Sequence, residues 1–154
     1  MAALTAARVQ GTFRATIKKI VYPLGIAATA WENGVACIDS ANLGAVWPGK
    51  VATTLTRIGL FTQSVNNSAG GTTVPVGVEL DEELDIVWLD SVASGGTVTI
   101  ANLFQVLYLA SDHEVTTTST GASKAGIMWA LGGTFGLGLN YPGAIGVGKP
   151  YGLF

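Results

Sequence analysis

The chain alternates hydrophobic and polar residues in short runs, a pattern typical of β-strands. Val74, Val76 and Val78, for example, are spaced to share one face of a strand predicted over residues 73–80. Turn-forming groups such as Asn33-Gly34 and Ser94-Gly95-Gly96 separate the runs. The spacing predicts about eight to ten short strands in an all-β fold, a small antiparallel sandwich or barrel.

Local turn signals also predict which strands pair. Asn33-Gly34 favours a hairpin that joins residues 27–31 to residues 35–38, because both turn positions tolerate a positive φ. The acidic residues 81–83 favour a second hairpin, between strands at 73–80 and 84–89. One helical turn is predicted within residues 97–103, with Thr99 as its cap.

Three further runs lie close together at residues 106–109, 114–118 and 125–131. Polar turns at residues 110–113 and 119–124 separate them, so the stretch predicts a β-meander. These runs are expected to close the domain and to hold Trp129 in its core.

The two ends of the chain differ from the middle. Residues 1–22 predict an arm and a first strand, residues 23–131 a β domain, and residues 132–154 a Gly-rich extended C-terminal arm. The segment between Lys124 and Lys149 has no charged residue, but its eight glycines and Pro142 disfavour a membrane-spanning helix. Because the strand pattern is complete by Leu131, truncation after this residue is expected to leave the domain folded.

Aromatic and large aliphatic side chains in the two arms are the candidate interface, because they bury the most area per ordered residue. These residues are Phe13, Tyr22, Phe135, Leu137, Leu139, Tyr141, Tyr151 and Phe154.

Composition favours an assembly. Only 12% of the residues are charged and the mean hydropathy is +0.46, whereas about 25% charged residues is typical. A surface so poor in charge is expected to be covered by partners. The net charge of −2 and the scattered basic residues give no footprint for nucleic acid. The N-terminus lacks a basic region followed by an apolar run, so synthesis without Sec export is expected.

Candidate chemistry is sparse in the sequence. Cys37 is the only cysteine, so no intrachain disulfide can form. His113 is the only histidine and no Gly-x-Ser-x-Gly elbow is present, so no Ser-His-Asp set is indicated. The acidic residues 81–85 lack the ligand spacing of a calcium loop. The prediction is a protein that is not an enzyme and that uses no cofactor or metal.

Several short motifs follow one another in a fixed order. They are Val106-x-Tyr108, an acidic turn at Asp112, Val115-Thr116 with Thr118, Thr120-Gly121, and Ala125-Gly126 before the apolar run 127–131. Two earlier segments, Gly34-Val35-Ala36 and residues 57–61, have the pattern of β-hairpin strands. In these residues the chain resembles the capsid-cement, or head-decoration, proteins of tailed bacteriophages. In that family Gly-Asp often precedes the Val-x-Tyr run, where this chain has Leu103-Phe104, and the chain usually ends soon after the last strand.

The resemblance implies a small β-tulip-like domain on the outside of an icosahedral phage head. Such proteins, commonly as homotrimers, bind the major capsid protein and stabilise contacts between neighbouring capsid subunits. The implied location is the capsid exterior of the virion, after synthesis in the host cytoplasm, with no nucleic acid or membrane as partner. Binding at many equivalent lattice sites would add up modest contacts through avidity.

Two other readings stay open. One is a different virion structural protein, in the tail tube or at head completion. The other is a carbohydrate- or cell-surface-binding β module that uses the four tryptophans as stacking platforms.

Overall fold

A computed structural model describes residues 19–81 and 86–148, except for the side chain of Phe135. The described residues form twelve strands and two short 3₁₀ turns, without an α-helix, so the all-β prediction is confirmed. The strands are β1 (Lys19–Leu24), β2 (Thr29–Ala30), β3 (Val35–Asp39), β4 (Val46–Pro48), β5 (Leu55–Phe61), β6 (Val65–Asn66), β7 (Val74–Leu80), β8 (Ile86–Ser91), β9 (Val106–Leu109), β10 (Glu114–Thr116), β11 (Lys124–Leu131) and β12 (Ile145–Gly148). The 3₁₀ turns are Ile100–Asn102 and Thr134–Gly136.

Ten of these strands close into two five-stranded barrels. The first barrel has the order β1-β4-β3-β5-β7 and closes through antiparallel pairing of β7 with β1. The second has the order β10-β8-β12-β11-β9 and closes through antiparallel pairing of β9 with β10. The short strands β2 and β6 form a separate two-stranded sheet beside the first barrel.

The two barrels have the same topology. Along the chain, the first to fifth strands are β1, β3, β4, β5 and β7 in one barrel and β8 to β12 in the other. In both barrels, neighbours around the ring follow the order first, third, second, fourth, fifth and back to the first. The first and third strands of each barrel pair in parallel, and all other neighbours are antiparallel. The chain is therefore a tandem arrangement of two barrels of one design.

The fourth strand of each barrel also carries the same irregularity. One additional residue interrupts the register against the second strand, Ile58 in β5 and Ala125 in β11. A glycine follows each, Gly59 or Gly126, because a neighbouring backbone oxygen leaves no room for a Cβ atom. On Gly126, which has a φ of 151°, that atom would lie 2.6 Å from the carbonyl oxygen of Gly148.

The barrels are joined by a continuous buried cluster. It contains interior side chains of the second barrel, such as Leu107 and Met128, together with Cys37 and Leu55 of the first barrel. Leu107 and Met128 have no exposed surface, and full burial of a side chain of this size stabilises the fold by about 1.5–3 kcal/mol. A second cluster, around Phe61 and Val78, fills the first barrel.

Strand pairing differs from the sequence prediction at three places. β2 pairs with β6 instead of β3, although Asn33 does adopt the predicted positive φ of 66°. β8 belongs to the second barrel, whereas the sequence predicts that it pairs with β7. β9 lies between β10 and β11, so the order is not that of a meander. In each case a strand pairs with a partner from farther along the chain: β2 with β6, β8 with β12 and β9 with β11.

The prediction of an extended arm over residues 132–154 is wrong for Ile145–Gly148. These residues form β12, which is buried throughout and pairs with β11 on one side and β8 on the other. Without β12 the ring of the second barrel is open between β8 and β11, so the expectation that the domain is complete at Leu131 is wrong as well. Of the predicted N-terminal arm, residues 1–18 lie outside the described residues.

The predicted helical turn is present as the 3₁₀ turn Ile100–Asn102. Thr99 precedes it as expected, and its backbone N–H donates to the Asn102 side-chain oxygen at 2.9 Å.

Candidate functional site

The loop between β11 and β12 folds back on the second barrel. The two ends of the loop are joined by hydrogen bonds from Gly132 N to Ala144 O, at 2.7 Å, and from Gly143 N to Gly132 O, at 2.9 Å. Farther out, Gly133 N donates to Leu137 O at 2.6 Å. The loop is therefore held in a defined conformation by its own backbone.

This loop presents large apolar side chains to solvent. Leu137, Leu139 and Tyr141 are 52%, 70% and 53% exposed. The ring of Tyr141 stacks on the indole of Trp88 in β8, with ring centroids 5.8 Å apart and planes inclined by 12°. A Cβ atom on Gly138 would lie 2.7 Å from the same indole, so only glycine allows this close approach. We call Trp88, Leu137, Leu139 and Tyr141 the aromatic loop surface.

The aromatic loop surface has the properties of a protein contact site. Residues 132–144 include no charged side chain, and exposed apolar residues that cluster together mark interaction surfaces. Because the loop is already ordered by its backbone hydrogen bonds, a partner would bind it with little further loss of conformational entropy.

The predicted interface residues fall into three groups. Leu137, Leu139 and Tyr141 lie together on the aromatic loop surface. Tyr22, in β1, is half-buried and packs against the core of the first barrel, away from the other three in the fold. Phe13, Tyr151, Phe154 and the side chain of Phe135 lie outside the described part of the chain.

A second aromatic pair is absent from the sequence-based candidates. Phe104 is 65% exposed and meets Trp129 edge to face, with ring centroids 5.9 Å apart. Trp129 is half-buried beside Phe104, whereas the sequence predicts it in the core. Its indole N–H is buried without a hydrogen-bond partner among the described residues. Phe104 also has a φ of 66°, which is unusual for a large side chain and has no signature in a single sequence.

A cleft of about 350 Å³ lies where β5 of the first barrel approaches β9 and β11 of the second. We call it the junction cleft. Its lining consists of Thr53, Leu55, Thr56, Arg57, Tyr108, Ala122, Ser123, Lys124 and Ala125. The lining side chains offer hydroxyl, ammonium and guanidinium groups and include no carboxylate.

Arg57 is the most buried charged group of this cleft. The residue is 3% exposed, and its Nε donates to Asp81 Oδ2 at 2.6 Å. Its Nη1 donates to the backbone oxygen of Ala125 at 2.9 Å, which connects the two barrels. Its Nη2 is buried and has no hydrogen-bond partner among the described residues.

Hydrogen bonds from neighbouring residues complete the junction. Ser123 Oγ accepts from Leu55 N at 3.0 Å and donates to Ala52 O at 2.5 Å. Val35 N donates to Asp112 O at 2.6 Å. The two barrels are thus fixed to each other by directional bonds as well as by apolar contacts.

The titratable groups with perturbed pKa values lie outside these surfaces. The pKa of His113 is raised, chiefly by its hydrogen bond to Asp112, where Nδ1 and Oδ1 are 2.8 Å apart. The pKa of Asp39 is lowered by hydrogen bonds from Thr54, Asn42 and Ala41. Burial raises the pKa of Cys37 to about 12.

Within residues 19–81 and 86–148, no three His, Cys, Asp or Glu side chains come together as metal ligands. The same residues contain no helix with the length and apolar character needed to cross a membrane.

Comparison with protein-family models, with curated proteins and with solved structures found no match to this chain.

Proposed function

We propose that this chain is a structural protein of a phage particle that decorates the outside of an icosahedral head. In this role it binds the major capsid protein and stabilises contacts between neighbouring capsid subunits. The active form is a homo-oligomer, of which a trimer is the expected size.

The aromatic loop surface is the observation that carries the proposal. Leu137, Leu139 and Tyr141 are exposed on a loop that its own hydrogen bonds hold in place. A cement protein must bind a preformed shell, and a rigid apolar projection pays little entropy on docking. Aromatic residues at the centre of an interface commonly supply most of its binding energy.

The family resemblance supports the same proposal. Its motif falls on β9, β10 and β11 and on the turns between them. β11 continues directly into the loop that carries the aromatic loop surface. The part of the chain that resembles head-decoration proteins is therefore the scaffold from which the proposed contact site projects.

The test is binding to undecorated heads assembled from the major capsid protein that is encoded with this chain. We expect the protein to co-sediment with the heads and to raise their melting temperature. The double variant Leu139→Ser/Tyr141→Ser is expected to weaken binding at least tenfold, because it removes apolar area from the contact. Leu43→Ser is a control, since Leu43 is 78% exposed but lies in the loop between β3 and β4 of the first barrel.

Absence of binding by the wild-type protein, with no change in the melting temperature of the heads, would refute the proposal. Density on the tail or connector alone, seen by electron cryo-microscopy, would favour a different virion role.

One observation favours carbohydrate binding as a second candidate. Trp31 is 61% exposed, as a sugar-stacking platform would be. Trp47 and Trp88 are less suitable, because Trp47 is half-buried with its indole N–H bonded to Asn42 O and Trp88 is covered by Tyr141. Binding on a glycan array that Trp31→Ala abolishes without loss of folding would establish this function.

A further inference from the structure

We propose that the turn before β9 is the contact through which copies of this chain associate with one another. Its exposed side chains are Ile100 and Phe104, with Trp129 beside Phe104, and we call these three residues the Phe104 surface. The inference rests on the homo-oligomer in the proposed function, because it names the contact that holds the copies together. It does not depend on binding to a capsid.

The two barrels contain the same turn before their second strand. Asn33 lies two residues before β3 and Phe104 two residues before β9, and both have a φ of 66°. Asn33 N donates at 2.8 Å to Phe61 O in the fourth strand of the first barrel. Phe104 N donates at the same distance to Met128 O in the fourth strand of the second. Because the backbone is the same at both positions, the two residue types can be compared directly.

Phe104 is the less suitable residue for this backbone conformation. Asn adopts a positive φ more readily, because its short polar side chain can form local hydrogen bonds, whereas a bulky residue rarely does. Phe104 is also 65% exposed, so its edge-to-face contact with Trp129 leaves most of its surface in water. Unfavourable backbone conformations are concentrated at sites of binding and function. The fold gains little from Phe104, and the ring is open to a partner.

The surroundings of Phe104 are uncharged. Residues 91–111 and 125–148, which include Phe104 and Trp129, contain no charged side chain. Ile100 begins the 3₁₀ turn that leads to Phe104 and is 47% exposed. The turn is held by backbone hydrogen bonds, so its apolar side chains would bind with little further loss of conformational entropy.

The distribution of charge favours a second copy of this chain as the partner. Near the axis of a symmetric oligomer, a residue meets the same residue of the neighbouring copy, so a charged surface would face its own charge. The acidic side chains of the second barrel, among the described residues, are Asp90, Asp112 and Glu114. They lie at or beside the pairing of β8 with β10. The Phe104 surface lacks such groups and can meet its own copy without repulsion.

The Phe104 surface and the aromatic loop surface lie on different strands. Trp129 belongs to β11 and Trp88 to β8, and β12 runs between these two strands. A chain that associates with its copies through Phe104 therefore keeps Tyr141 and its neighbours for another partner.

Analytical ultracentrifugation of the full-length protein, without capsids, tests the inference. We expect the wild-type protein to form a concentration-dependent oligomer. Phe104→Asn introduces the residue of the equivalent turn and is expected to raise the dissociation constant about tenfold, a ratio that corresponds to about 1.4 kcal/mol. Phe104→Tyr keeps an aromatic ring and should associate like the wild type. Leu43→Asn, the matched control, removes an exposed apolar side chain from the loop between β3 and β4 and should leave association unchanged.

Urea unfolding at a dilution at which both proteins are monomeric separates association from folding. Phe104→Asn should be at least as stable as the wild type, because Asn suits the positive φ. A clear loss of stability in the monomeric variant would show that the ring serves the fold, and would overturn the inference.

Three results of the ultracentrifugation would also overturn it. They are a wild-type protein that stays monomeric, unchanged association of Phe104→Asn, and equal weakening by Phe104→Asn and Leu43→Asn.

Co-sedimentation with undecorated heads distinguishes this inference from the proposed capsid role. A monomeric wild-type protein that binds heads would refute the self-contact and leave capsid binding intact. An oligomer that Phe104→Asn dissociates, but that does not bind heads, would support the self-contact and refute the capsid role. A Phe104→Asn protein that stays oligomeric but no longer binds heads would assign Phe104 to the capsid contact and overturn the inference.

Discussion

Replacement of Ile145 by alanine tests whether the C-terminal segment belongs to the core. Ile145 begins β12, is 1% exposed and pairs with Leu131 on one side and Leu89 on the other. The change removes three carbon atoms from a packed interior. At about 0.8 kcal/mol for each buried methylene equivalent, the transfer contribution alone is about 2.4 kcal/mol.

The cavity left behind adds to this loss. Substitutions of buried Ile or Leu by Ala cost about 2–5 kcal/mol in total, depending on how far the site relaxes. We therefore expect Ile145→Ala to lower the free energy of unfolding by about 3 kcal/mol. At about 2–4 °C per kcal/mol for a chain of this size, the melting temperature should fall by about 6–12 °C.

The assay is urea unfolding followed by tryptophan fluorescence and by circular dichroism. Leu139→Ala is the matched control, because Leu139 lies in the same segment but is 70% exposed; its effect should stay within about 0.5 kcal/mol. A protein truncated after Leu131 should lose cooperative unfolding of the second barrel. If Ile145→Ala shifts the free energy of unfolding by less than about 0.5 kcal/mol, β12 does not contribute to the core and the assignment is refuted.

Three further predictions concern single positions. Gly59→Ala should destabilise the fold by about 1–3 kcal/mol in a urea titration, because its Cβ would collide with the Glu79 carbonyl oxygen; Gly71→Ala, which meets open space, should not. The raised pKa of His113 means that its contribution to stability is full below its ordinary pKa of about 6.5 and is lost as the pH rises through its folded-state value. The stability difference between wild type and His113→Gln should therefore shrink with increasing pH, and a difference that grows would contradict the assignment. Cys37, buried and with its pKa raised to about 12, should react with a thiol reagent only after unfolding; rapid labelling of the native protein would contradict this.

Local patterns in the sequence were sufficient to predict most strands. The run 106–109 matches β9 at both ends, and β10 and β11 begin within one residue of the predicted positions. Alternation and turn residues carry this information because they act over a few neighbouring positions.

Strand partners were not predictable in the same way. β8 follows β7 along the chain but pairs with β10 and β12, which lie more than twenty residues away in sequence. Pairing at such distances depends on how the barrel closes. The alternation of hydrophobic and polar residues in a single sequence carries no information about that closure. Leu137, Leu139 and Tyr141 are predicted as contact residues from their side chains, but the stacking of Tyr141 on Trp88 and the close approach of Gly138 to that ring depend on the fold of the loop.

The sequence pattern does not predict β12, because its two glycines are more typical of loops than of strands. Ile145-Gly146-Val147-Gly148 resembles in composition the glycine-rich residues before it. In the fold, Gly146 is needed because a Cβ atom there would lie 3.0 Å from Ile86 and 3.1 Å from the Trp88 ring. In a sequence, glycine is typical of flexible segments, but Gly146 is required here because close packing leaves no room for a side chain.

The tandem arrangement of two barrels has a consequence for symmetry. An assembly of n copies contains twice as many barrels of one topology, so a ring of three chains presents six. These six would carry two different surfaces, because the two barrels of each chain differ in sequence. An assembly of three copies would therefore make two different sets of contacts through barrels of one topology.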